Sequence, residues 1–286
     1  MKMRAELLVI GGVFAIWASE ATAPKARAAD GAETQPAQWR ALQSGVEYAV
    51  IGFSSPVDIG DKRLHVVRID PARARLVALL ATQNGRAPRT AGQWSTEFNL
   101  AAAINLGMYQ TDHLTNVGYL RNGTHVNNSH WAEKYKAAFA FNPKVPGVAP
   151  AIMADLDQTD GSRPLESYDT VVQNLRLIKA PGQNVWENQP KRWSEAALAA
   201  DTDGRILLIF CRTPLSMWEL NGLLLALPLK IAHAMHMEGG PEASLSIHAG
   251  GLDLDLSGSF ETAFSPTDAN LTQWPIPNVL GVSRVK

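Results

Sequence analysis

The amino-acid sequence predicts an α+β fold: a single domain built on a curved, strand-rich mixed sheet with a few packed helices. Three observations carry this reading. Short alternating or β-branched runs recur from Val46 onward, Asn-Gly and Asp-Gly pairs stand between several of them, and only three stretches carry helix signals. Of 286 residues, 46% are hydrophobic and 19% charged, which supplies a sizeable core and argues against disorder.

The N-terminus reads separately. Met1-Lys-Met-Arg4 is basic, Leu7 to Ala18 is apolar, and Ala26-Arg27-Ala28 offers a small-residue cleavage site, the three-part layout of a secretory signal over residues 1–28. Its apolar run falls short of the roughly 20 residues that span a bilayer. The expectation is a periplasmic or secreted protein with no stable membrane insertion after cleavage, and a loosely ordered lead-in over residues 29–45 before the domain at 46–286. Removal of the leader takes Lys2, Arg4, Lys25 and Arg27 with Glu6 and Glu20, so a chain of net charge -1 becomes more acidic. Without clustered Lys and Arg, nucleic acid and anionic membrane surfaces are excluded as partners. The single Cys211, in Ile206-Leu-Leu-Ile-Phe-Cys, has no internal disulfide partner and reads as a buried small hydrophobe.

Val46 to Phe53, Leu64 to Ile69 and Arg75 to Leu80 read as three strands of a meander, with His65 at a solvent-facing or lining position. Thr90 to Asn99 reads as a short helix and Leu100 to Ile104 as a buried strand. Asn122-Gly123 predicts a hairpin. Lys136 to Asn142 and Ala149 to Leu156 are strands, and Leu165, Tyr168, Val171 and Val172 stand at helical spacing over 164–178. Residues 180–191 form a loop, and Ser194 to Ala200 pairs with Arg205 to Phe210 across Asp201-Thr-Asp-Gly204. Thr213-Pro214 supplies an N-cap and N1 for a helix reaching Leu227, and strands follow at Ala243 to Ile247, Leu252 to Leu256 and Val279 to Val285.

Two loops attract chemistry. In Met237-Glu-Gly-Gly-Pro-Glu242, adjacent glycines permit close backbone approach and Pro241 stiffens the bend, so Glu238 and Glu242 are two carboxyls on one tight turn. Such a pair suits acid/base work on a sugar or a hard cation. The second loop, Asn105-Leu-Gly-Met-Tyr109, closes an apolar strand with an amide, a glycine and two large side chains.

The order of Ala103-Ile-Asn-Leu-Gly-Met-Tyr109, Arg192-Trp-Ser-Glu-Ala-Ala-Leu198 with Asp203-Gly-Arg-Ile-Leu-Leu-Ile209, and Ala234-Met-His-Met-Glu-Gly-Gly-Pro-Glu-Ala-Ser244 resembles the phosphodiester glycosidase family, in its uncovering-enzyme-like and bacterial exopolysaccharide biosynthesis forms. The resemblance spans roughly residues 60–286. It implies hydrolysis of a sugar C1-O-P linkage in a carbohydrate phosphodiester or polysaccharide, with no cofactor required. It further implies Glu238 as the stabilising or nucleophilic carboxylate, Arg192 as the phosphate's cation, and Asn105 as the orienting amide. Gly107, Gly239 and Gly240 would allow close approach, Tyr109 or Trp193 would stack on the sugar, and Glu242 would line the substrate site. This chain departs from the family's Asp-Gly-Gly motif, normally followed by two serines: Glu238 replaces the aspartate and Glu242-Ala243 the serines. The variant adds negative charge where an anionic substrate binds. Two alternatives follow. One is a metal-dependent phosphodiesterase using His233, His236 and Glu242 with a divalent metal; the other is a non-catalytic glycan-binding or exopolysaccharide-export accessory protein.

Overall fold

The computed structural model describes residues 37–157 and 163–285; the leader at 1–28 and the first part of the lead-in lie outside them. In chain order the strands and helices are β1 (Arg40–Gln43), β2 (Val46–Gly52), β3 (Arg63–Ile69), β4 (Leu76–Leu80), α1 (Ala91–Glu97), β5 (Leu100–Asn105), β6 (Leu120–Asn122), β7 (His125–Asn128), β8 (Ala137–Pro143), β9 (Ala151–Asp155), β10 (Tyr168–Asn174), β11 (Arg176–Lys179), β12 (Gln183–Asn184), β13 (Trp193–Asp201), β14 (Ile206–Leu215), α2 (Met217–Ala226), β15 (Ile231–Gly239), β16 (Ser244–Ile247), β17 (Leu254–Ser257) and β18 (Asn278–Ser283).

They form three sheets, in the orders β1-β2-β3-β14-β13-β15-β11-β12, β17-β16-β5-β18-β4 and β7-β6-β10-β8-β9. Every strand pairing is antiparallel. This corrects the expected single mixed sheet: the described residues are mostly β, with two α-helices. All three sheets turn one face to a shared core that includes Val67, Phe139, Phe141, Leu198, Leu208, Met235, Leu245 and Leu280. Their outer faces are covered separately. Leu220 and Leu224 of α2 pack over Ile178, Leu207 and Ile209 of the first sheet. Trp94 of α1 packs beside Leu100, Ala103 and Val279 of the second.

Several local expectations change. Arg40–Gln43, placed in the lead-in, is a strand paired with β2. The meander ends after two strands, because β4 pairs with β18 in the second sheet. The helix expected over 164–178 is instead a 3-10 turn at Arg163–Ser167 followed by β10 and β11. The i, i+3, i+4 apolar spacing there is also satisfied by a strand buried on both faces, and the β-branched Thr170, Val171 and Val172 favour that state. His65 is buried rather than solvent-facing, since β3 lies between β2 and β14, and its Nδ1 meets Tyr48 Oη at 2.7 Å. Thr213-Pro214 lies within β14; α2 is capped by Ser216, which exchanges side-chain and backbone hydrogen bonds with Glu219. Thr90 caps α1 in the same reciprocal way with Gln93. The Asp201 hairpin forms as read, its carboxylate accepting the backbone N–H groups of Asp203 at 2.9 Å and Arg205 at 2.8 Å.

Candidate active site

β15 belongs to the first sheet and β16 to the second, and the chain crosses between them through the 3-10 turn Gly240–Glu242. Glu238 stands at the end of β15, where the strand is locally irregular. Ala197 of β13 faces His236 while its neighbour Ala196 faces Glu238, so Met237 is one residue extra against β13. Bulges of this kind re-aim side chains.

Asn105 fixes the crossover. It is the buried last residue of β5; its Nδ2–H donates to the Glu242 carbonyl at 3.0 Å and its Oδ1 accepts the Ser244 N–H at 2.8 Å. The amide expected to orient a sugar hydroxyl thus holds the backbone of the turn through these two bonds. Gly240 has φ +66°, and a Cβ there would sit 2.7 Å from Glu261 Oε2. Gly239 is extended, yet a Cβ would sit 2.6 Å from the Trp193 ring. The two glycines thus admit Trp193 and Glu261 against the turn. Gly107, at φ +89°, faces Asn116 Oδ1, which a Cβ would meet at 2.4 Å.

Beneath Glu238 lies a buried acid–imidazole pair. Glu195 Oε1 is 2.7 Å from His236 Nδ1, and Trp193 Nε1–H donates to Glu195 Oε2 at 2.6 Å. The Trp193 indole stands edge-on to His236 at 6.1 Å, so its N–H is engaged and its ring is packed on Gly239. Burial raises the Glu195 carboxyl above the usual range, with His236 and Trp193 pulling it back. Burial opposes the charge on His236, but Glu195 wins and holds the imidazole above its ordinary value, helped by Glu238 and Glu261.

Around this pair the carboxyls are hard to ionise. Glu238 is pushed up to about 8, chiefly by burial and then by Glu242 and Glu195, against the opposing influence of His236 and the Gly239 N–H. Glu242 is pushed up to about 7 by burial and by Glu261. Glu261 is raised by burial, offset by His236 and Lys191. The phenol of Tyr109 is raised by burial, Glu238 and Glu242, and that of Tyr135 by burial and Glu238. The site thus brings together Glu238, Glu242, Tyr109, Trp193, Gly239 and Gly240 from the expected set.

Arg192 stands apart from this use. Its Nε and Nη2 donate to Glu219 at 2.9 and 2.5 Å, and that same carboxylate accepts the Ser216 N–H at the start of α2. A guanidinium expected to hold phosphate is already paired with a helix-capping carboxylate. Sequence reasoning missed Glu195 as the partner of His236, and with it Glu261 and Tyr135. One signal was available: Glu195 opens Ala196-Ala-Leu-Ala-Ala200 on a buried strand, and a charge in such a run needs a partner. His233 and His236 do not converge, since His233 Nδ1 faces the Met153 carbonyl at 3.4 Å. Among the described residues no group of three or more His, Cys, Asp or Glu side chains is arranged to hold a metal ion.

A family model described as phosphodiester glycosidase matches residues 98–283, well over half of the chain. No curated protein matches it. Among solved structures, the zebrafish N-acetylglucosamine-1-phosphodiester alpha-N-acetylglucosaminidase catalytic domain, auto-inhibited by its pro-peptide, is 14% identical with a TM-score of 0.58 over 89% of this chain and 88% of that one. A hypothetical protein from Synechocystis is also 14% identical, with a TM-score of 0.57 over 88% of this chain and 68% of that one. At these identities the likeness is one of fold.

Proposed function

The chain belongs to the phosphodiester glycosidase family, and on that premise we propose that it is an exported hydrolase cleaving a glycosyl C1-O-P linkage of a glycan or glycoconjugate, with release of a free sugar and a phosphomonoester. The observation that carries the reading is the place of Glu238 at the crossover turn, next to the buried Glu195–His236 pair, where burial pushes its carboxyl up to about 8.

Net reaction breaks the bond between C1 and the bridging oxygen, which leaves with the phosphomonoester, and joins a water oxygen to C1. Glu238, at about 8, is the group suited to give a proton to the departing oxygen. Glu242, at about 7, ionises first and is suited to stabilise positive charge at C1 and take the proton of the attacking water. The same raised values address the family departure at this turn. A phosphodiester brings negative charge, which ionised glutamates would repel; a protonated Glu238, beside the His236 imidazole that Glu195 holds above its ordinary value, leaves one negative charge fewer to oppose it. Asn105 holds the turn in register, and Trp193 holds Glu195.

Turnover of glycosyl-1-phosphodiesters tests this, read as phosphomonoester release. Glu238→Gln is expected to lower kcat by about 10²–10⁴-fold. kcat/KM is expected to rise through a pH near 7 as Glu242 ionises and fall beyond about 8 as Glu238 loses its proton. Undiminished turnover in Glu238→Gln would remove that residue from the mechanism, and retained glycosyl-phosphate binding with no turnover in the unaltered protein would favour a non-catalytic binding role.

A further inference from the structure

The outer face of the third sheet carries a cavity of about 530 Å³ lined by Tyr119, Arg121, Trp131, Lys144, Leu165, Glu166 and Val171. None of these residues belongs to the site at the β15–β16 crossover. Its floor is apolar, since Leu165 and Val171 are buried in the cluster that covers this face of β8 and β10, with Tyr119 packed against it. At its side the Tyr119 and Trp131 rings lie nearly parallel, 4.4 Å apart with 10° between planes, yet Trp131 remains 39% exposed. An indole left open to water while its other face is held by a stacked phenol is a rigid, flat, pre-organised contact surface.

The backbone under the platform is built to hold it. Gln173, buried in β10, accepts from the N–H groups of Tyr119 at 3.2 Å and Ala132 at 2.9 Å, and donates to the carbonyls of Ala132 and Tyr135 at 2.8 Å each. One side chain therefore ties together the two segments that carry the stacked rings. The rim is polar and unbalanced in charge. Arg121 and Lys144 line it together with one carboxylate, Glu166, and the Arg121 guanidinium is anchored by an Nη2–H bond to the Tyr168 carbonyl at 2.6 Å.

We propose that this cavity is a second carbohydrate-binding site, which takes one or two sugar rings of an acidic glycan. A pyranose presents an axial face of C–H groups that lies flat on an indole, and its rim of hydroxyls needs the mixed donors and acceptors that Arg121, Lys144 and Glu166 supply. The volume lies in the range of small-molecule sites. The excess of cations selects a carboxylate- or phosphate-bearing sugar, and a guanidinium can hold either group through paired N–H bonds. A lipid tail would have no use for the charged rim. The site is distinct from the hydrolytic centre and would hold a polymeric glycan whether or not that centre turns over.

Calorimetric titration of the full chain with hexagalacturonate, maltohexaose and hexaglutamate tests it. Hexagalacturonate is expected to bind most tightly, and Trp131→Ala to weaken it by about tenfold or more through loss of the stacking face. Trp131→Phe, which keeps an aromatic face, is expected to retain most of the affinity. Lys144→Glu is expected to weaken hexagalacturonate and leave maltohexaose nearly unchanged. Turnover of a small glycosyl-1-phosphodiester should be the same in Trp131→Ala as in the unaltered protein. Failure of hexagalacturonate to bind, binding unaffected by Trp131→Ala, or equal binding of hexaglutamate would each overturn the proposal.

Discussion

Two histidines three residues apart on β15 behave in opposite ways. His236 and His233 are both buried on the same strand, but the first is held above its ordinary pKa and the second below it. The difference is the partner. His236 shares a 2.7 Å contact with the carboxylate of Glu195, which outweighs burial. His233 has only a long contact to the Met153 carbonyl, so burial prevails over the pull of Asp155, and its Nε2 meets no hydrogen-bond partner among the described residues. Burial alone makes a histidine neutral and inert. A buried carboxylate beside it reverses the direction of the shift, and the candidate active site is built around that pair.

The largest expected effect comes from removing the partner. Glu195→Ala leaves a buried imidazole without its counter-charge and should lower stability by about 3–5 kcal/mol, read by urea unfolding at neutral pH. His236 should then titrate like His233, below the ordinary imidazole value, in an NMR pH series. A His236 titration unchanged by the substitution would mean that Glu195 is not what separates the two histidines.

The next effect lies one step above the pair, at Glu238. Its folded-state pKa is raised, from 4.5 to about 8, so the folded protein holds this proton more tightly than the unfolded chain. The stability tied to that proton is fully present below about 4.5, declines as pH rises, and is gone above about 8. Glu238→Gln cannot lose the proton. The variant should therefore gain in melting temperature relative to the unaltered protein as pH is raised across this window, at the same time as it loses turnover. A pH-independent difference in melting temperature would show that Glu238 ionises in the folded protein as it does in an unfolded chain.

The contrast between what was legible in the sequence and what was not follows the same division between local pattern and distant partner. Strands such as Leu64 to Ile69 and Val279 onward were legible because alternation and β-branching are local, as were the Asn122-Gly123 and Asp201–Gly204 hairpins, whose turn chemistry lies within a few residues. The Glu238–Glu242 turn was legible as a place. The helix expected over 164–178 failed because a strand buried on both faces has no polar positions to betray its period. The bonds of Asn105 to Glu242 and Ser244 and that of Arg192 to Glu219 were not legible, because those partners lie far along the chain. Glu195 and His236 are 41 positions apart, and only the register of β13 on β15 joins them.

Arg192 gives a smaller effect that sharpens the comparison from the solvent side. Its pair with Glu219 is partly exposed, with 36% and 23% of the two side chains open to water, so screening limits its worth. Arg192→Ala is expected to cost about 1 kcal/mol or less in urea unfolding, since Ser216 and Glu219 still cap α2 without it. It should leave phosphomonoester release within about threefold of the unaltered protein, against the far larger loss in Glu238→Gln. A loss of turnover as large as that of Glu238→Gln would mean that Arg192 leaves Glu219 when substrate binds and takes the phosphate after all.

The smallest effect is expected at His233, where the comparison can be inverted. Its ring nitrogens make one long contact and leave one atom unpartnered, so His233→Leu exchanges a poorly satisfied polar ring for an apolar side chain in a buried place. Such a change is expected to alter stability by about 1 kcal/mol in either direction, because no good hydrogen bond is lost and Asp155 keeps its 2.7 Å bond to Arg176. The same replacement at His236 strands the buried carboxylate of Glu195 and should cost as much as Glu195→Ala. Urea unfolding of the two leucine variants side by side measures the contrast directly: equal losses would mean that burial, and not the Glu195 partnership, sets the worth of a histidine on this strand.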